Sequence, residues 1–127
     1  MRFLLALFCF IPMAANAYDP QRAQANLASD YASCAAFYMI STQVLTKYSQ
    51  DASKAEAAAR NALDMAVTLS NREVTSARVE MVTQMMLVDE MKSDWSNWAI
   101  VVNKHFPTCK EITENPVRRL EYWLSKE

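Results

Sequence analysis

From Asp19 onward the apolar positions of the chain recur at helical spacing. Leu27, Tyr31, Cys34, Tyr38, Ser41, Leu45 and Tyr48 alternate by four and three, the trace of one helix face. Phe37, Ile40 and Val44 widen that face and put Cys34 on the core side. Asp19-Pro20 offers a capping carboxylate followed by proline at the first helical position. The spacing therefore predicts a first helix from Pro20 to about Ser49.

A second helix is predicted behind Ser53, which with Glu56 fits a capping box. It carries Ala57, Leu63, Met65, Ala66 and Leu69 and ends near Ser70. Ser70 with Glu73 fits another capping box, so the next connection is short. Beyond it, Val74, Met81, Val88, Trp95 and Val102 recur every seven residues. Ala77, Gln84, Met91, Trp98 and His105 do the same. The periodicity alone reads as one helix over 71–106, stopped by Pro107. Thr108 to Asn115 reads as a connector, and Asn115-Pro116 opens a short last helix through Val117, Leu120, Trp123 and Leu124.

The N-terminal segment changes this picture. Arg2, the apolar run Phe3 to Met13 and the small-x-small triplet Ala15-Asn16-Ala17 have the layout of a cleaved export signal over residues 1–17. Cleavage removes Cys9 and leaves residues 18–127, a single helical domain of 110 residues with Cys34 and Cys109. In a periplasmic or secreted setting those two are expected to pair.

A bridge then acts as a ruler, because bridged Cα atoms lie within about 7 Å. An unbroken helix over 71–106 would carry Cys109 about 50 Å from Cys34. A break at Lys92-Ser93-Asp94, where Ser93 and Asp94 are good caps, turns the chain back to the level of Cys34. The expected fold is all-α: an up-down-up-down bundle of four helices plus a short C-terminal helix, stapled by one disulfide.

Composition narrows the function. The chain has no glycine, so phosphate-cradling loops and dinucleotide fingerprints cannot take their usual form. After cleavage twelve Lys and Arg face fourteen Asp and Glu, a formal charge of −2. The basic residues are scattered apart from Arg118-Arg119, so no nucleic-acid partner is expected. No apolar run after the signal reaches the roughly 18 residues of a membrane span.

Candidate chemistry is sparse. His105 is the only histidine, read here as a residue near a helix C-terminus, satisfied by carbonyls and favoured by the dipole. Met81, Met85, Met86 and Met91 are the densest thioether group. They read as core filling, with Cu(I) ligation the alternative. Asp89, Glu90 and Asp94 read as a solvated acidic face, since neighbours on a helix diverge by about 100°. Trp95, Trp98, Tyr122 and Trp123, rimmed by Arg118 and Arg119, are the candidate partner-binding set, weighed against packing between the fourth helix and the tail. No catalytic, metal or cofactor constellation is visible. The expected function is protein binding, in an inhibitor, chaperone-like or envelope-interaction role, with a partner protein in the envelope or outside the cell. The alternative is a small apolar-ligand or Cu(I) binder using the Met/aromatic core. An enzyme is not expected.

Overall fold

The computed structural model describes residues 19–126. The export segment expected over 1–17 lies outside the described residues. The helices are α1 (Pro20–Lys47), α2 (Ser53–Leu69), α3 (Arg72–Gln84), α4 (Trp98–Glu114) and α5 (Pro116–Leu124). A π-helical turn, Met85–Glu90, continues α3, and a short 3-10 turn, Trp95–Asn97, leads into α4. This is the expected all-α bundle with its short last helix, and Cys34 and Cys109 are bridged with a Cα–Cα distance of 5.4 Å.

Helix α1 is the hub, for each of the other four helices packs against it. Accordingly it is buried around much of its circumference, from Leu27, Ala28, Tyr31 and Ala32 to Phe37, Ile40 and Val44. Small residues make the close approach of α2 possible. The buried stripe of α2 is entirely alanine, at 55, 59, 62 and 66, spaced four, three and four. Leu63 and Met65, the larger apolar residues carried by this helix, lie at the surface. The larger side chains come from the π turn and its end, Met86 and Met91, and from α4, Val101 and Ile112, which close the core.

The start of α1 is as the sequence predicts, with Asp19 Oδ1 accepting the Gln21 N–H at 2.9 Å. Both expected capping boxes are replaced by a neighbour. Asp51 Oδ1 accepts the Ser53 N–H at 2.9 Å, so Ser53 is the first helical residue rather than the cap. A carboxylate two residues ahead reaches that N–H as an Asx turn. At α3 the cap is Asn71, whose Oδ1 accepts the Val74 N–H at 2.8 Å. The Ser70 hydroxyl turns back to the Ala66 carbonyl at 2.7 Å.

The predicted break after the third helix is present. The Met91 N–H reaches the Met86 carbonyl five residues back at 2.9 Å. That wider turn brings Met86 and Met91 together into the core. Lys92 and Ser93 then take left-handed conformations, with φ of 54° and 56°. Asp94 caps the 3-10 turn by accepting the Ser96 N–H at 2.9 Å. The seven-residue stripe through Val74, Met81 and Val88 faces solvent, with Met81 54% exposed. The buried face of α3 is the adjacent one, through Thr75 and Val82. A period of seven marks a face without saying which face is inward, and the π turn shifts the phase partway along.

Pro107 does not end α4. The helix continues to Glu114, so the connector expected over 108–115 is helical. An internal proline removes one hydrogen bond and costs about 3 kcal/mol. Beyond it the same helix buries Cys109 and Ile112 and carries the bridge, which offsets that cost. Asn115 then caps α5 as expected, accepting the Arg118 N–H at 3.2 Å.

Candidate functional site

The bridge lies on one wall of an open groove of about 440 Å³. Tyr31 and Cys34 come from α1, Lys54, Ala57, Ala58, Asn61, Ala62 and Met65 from α2, and Ile112, Thr113 and Pro116 from the α4–α5 corner. The groove exists because alanines occupy the α2 positions where larger side chains would fill it. Its lining is mainly apolar, with a few polar groups at fixed places. Burial pushes the Tyr31 phenol up from its usual value, so it stays a protonated hydroxyl. The Thr113 hydroxyl is spent on the Cys109 carbonyl at 2.9 Å. Among the described residues no acid and no histidine lines the groove, and the one cysteine that does is bridged. Such a surface can hold an apolar group and offer hydrogen bonds to its polar end. Sequence reasoning misses this site. The available signal is the alanine-rich stretch Ala55 to Ala62, which has no distinctive chemistry.

The expected partner-binding residues fall into two places. Trp98 stacks on Phe37, with centroids 5.5 Å apart and planes 12° from parallel, and Trp95 is half-buried against the same core. Trp123 is half-buried on Asp30, donating its Nε1 hydrogen to Oδ2 at 2.6 Å. Phe37 and Asp30 are seven residues apart on α1, about 10 Å along its axis. Arg119 donates its Nε hydrogen to the same Asp30 oxygen at 2.7 Å. Burial alone would lower the Arg119 guanidinium, but the hydrogen bond and charge of Asp30, with smaller contributions from Tyr122 and Glu111, together outweigh it and the net shift is upward. Arg118 and Tyr122 remain at the surface, Tyr122 with Arg119 and Lys126 each 4.3 Å from its ring centre.

His105 is not at a helix end, and its partner is not a carbonyl. Its Nε2 faces the two carboxylate oxygens of Glu90 at 2.8 and 3.1 Å. Lys104 Nζ donates to the same carboxylate at 2.8 Å. Glu90 is therefore no part of a solvated face, and its side chain is only 8% exposed. Burial alone would push its carboxyl up. The hydrogen bonds from Lys104 and His105, with their charges, outweigh that and hold it below the usual value. The group braces the π turn against α4, and both carboxylate oxygens are engaged. Asp94 is spent on its cap, and Asp89 stands apart on the exposed side.

The methionines do not converge. Met86 and Met91 are fully buried, whereas Met81 and Met85 are exposed. Among the described residues no group of three or more His, Cys, Asp or Glu is placed to hold a metal ion. No protein-family model, no curated protein and no solved structure matches the chain.

Proposed function

We propose that the protein is exported and acts by binding, holding an apolar ligand in the groove beside the Cys34–Cys109 bridge. The observation that carries this reading is the groove itself. At about 440 Å³ it lies within the range of small-molecule sites, roughly 300–1,000 Å³, and it has the usual make-up of an apolar lining with few polar groups. The ligand is an apolar molecule with a hydrogen-bond acceptor at one end, taken by the Tyr31 hydroxyl or the Lys54 ammonium. The bridge supports export, since such links persist in oxidising compartments.

A neutral apolar dye tests this. N-phenylnaphthylamine is expected to bind one site saturably, with a rise in fluorescence. Ala58→Trp fills the groove from the partly exposed side of α2 and is expected to abolish that rise while leaving the thermal melt in place. Absence of saturable binding, or equal binding by A58W, rejects the reading.

A second reading, binding of a partner protein, is favoured by the exposed apolar ridge of Val74, Met81 and Val88 on α3 and its π extension. Of the expected partner-binding residues, Arg118 and Tyr122 are exposed, whereas the tryptophans are engaged in packing. Capture of one specific protein from envelope extract, lost on Met81→Asp, supports this reading over the first.

A further inference from the structure

We propose that a second pocket, between α1 and α3 under the α2–α3 turn, binds a short aliphatic carboxylate through Arg78. The pocket measures about 260 Å³ and shares no residue with the groove beside the bridge. Arg78 lines it, and the Arg78 Nε is shielded from solvent without a hydrogen-bond partner. Among the described residues no carboxylate stands within ion-pair distance of this guanidinium. A desolvated N–H of a charged group without an acceptor is a standing cost to the fold, and a ligand that supplies the acceptor removes it.

The hydroxyls of the pocket say what kind of ligand fits. Ser70 Oγ donates to the Ala66 carbonyl at 2.7 Å. The hydrogen in its 3.2 Å contact with Thr75 Oγ1 therefore comes from Thr75. Both hydroxyl hydrogens are spent within the protein. Arg78 and Ser29 are the described lining residues that have a side-chain donor not spent within the protein, so the ligand must accept. A carboxylate matches the planar guanidinium fork with two parallel hydrogen bonds. With a single cation among the described lining residues, a monoanion is balanced where a phosphate dianion is not.

The remaining lining sets the rest of the molecule. Ala25, Ala28, Ala32 and Val74 offer an apolar bed for an alkyl tail. The volume is below the roughly 300 Å³ at which drug-sized ligand sites begin, so the tail is short.

The test is a titration of the 15N-labelled, disulfide-bonded protein with hexanoate, with hexanol as the neutral analogue and sodium chloride as the ionic-strength control. Hexanoate is expected to shift the Arg78 Nε–Hε resonance and the amides of 25–32 and 74–78 saturably. Hexanol and chloride are expected to leave the Arg78 resonance in place. Arg78→Met should weaken hexanoate at least about tenfold without loss of fold, since it removes an unpartnered polar group. Ala25→Leu, at an exposed position, fills the pocket with the guanidinium intact and should block binding as well. Equal shifts with hexanoate and hexanol overturn the proposal. So does binding unchanged in both variants. Shifts confined to 54–65 and 112–116 place the acid in the other groove and overturn it too.

Discussion

Trp123 donates its indole hydrogen to Asp30 Oδ2 at 2.6 Å, joining the last helix to the first. Arg119 Nε donates to the same oxygen at 2.7 Å. Helix α5 buries no residue completely, so this one carboxylate is a main anchor for it. Asp30→Ala leaves a guanidinium and an indole N–H without their acceptor in a site where both ionic side chains are only 16% exposed. The expected loss is about 2 kcal/mol. It should appear as a lower melting temperature and as faster hydrogen exchange across 116–124. Asp30→Asn keeps one acceptor oxygen and should fall between the two.

The bridge and Pro107 form a second testable pair. The Cys34–Cys109 link closes a separation of 75 residues, which the chain-entropy model values at about 4 kcal/mol. It also holds the half of α4 beyond the proline, where one helical hydrogen bond is missing. The double variant C34A/C109A should melt at least about 10 °C lower. Its amide protection should fall first over 108–124 while α1 and α2 stay protected. Uniform loss of protection along the chain would mean that the bridge does not act locally on this segment.

Local chemistry with a strong signature is readable in the sequence. Asp19-Pro20, Asp94 and Asn115-Pro116 each satisfy backbone N–H groups within a few residues, so their roles do not wait on the fold. The break at residue 93 is legible through a global constraint, the bridge used as a length. Pro107 misleads because its local penalty is outweighed by packing and a covalent link made far away in sequence. The solvent-facing stripe of Val74, Met81 and Val88 misleads because periodicity carries no inward direction. The groove beside the bridge is invisible in the sequence because it is made by alanines, whose contribution is the space they leave. The contacts of Glu90 with Lys104 and His105 arise only after the chain reverses, at separations of 14 and 15 residues.

Glu90 gives the protein an acid-sensitive brace. Its carboxyl is held below the ordinary glutamate value of 4.5. A carboxyl harder to protonate in the folded state than in the unfolded one contributes stability above the unfolded value. That contribution is lost as pH falls through the folded value, below 4.5. Glu90→Gln should lower stability by about 1 kcal/mol at pH 7. The gap between wild type and E90Q should close as pH drops from about 5 toward 3 in denaturant titrations. A gap that stays constant over that range would show that the charge on Glu90 does not hold the π turn to α4.

The absence of glycine leaves a mark on the backbone. Ser49, Lys92 and Ser93 adopt φ values of 55°, 54° and 56°, where a Cβ crowds the following carbonyl. Such a residue costs roughly 1–2 kcal/mol relative to an unstrained one. Glycine removes the crowding but loses about 0.4–1 kcal/mol of stability through its freer unfolded chain. The balance favours Ser93→Gly by about 0.5 kcal/mol, a melting-temperature gain of a few degrees. Ser93→Ala, which keeps the Cβ, should gain nothing and so separates backbone relief from loss of the hydroxyl. Lys92→Gly should behave like S93G, because it relieves the same reversal between the π turn and α4. A lower melting temperature for both glycine variants would mean that the turn is held by its side chains, and that the left-handed backbone carries no strain for glycine to release.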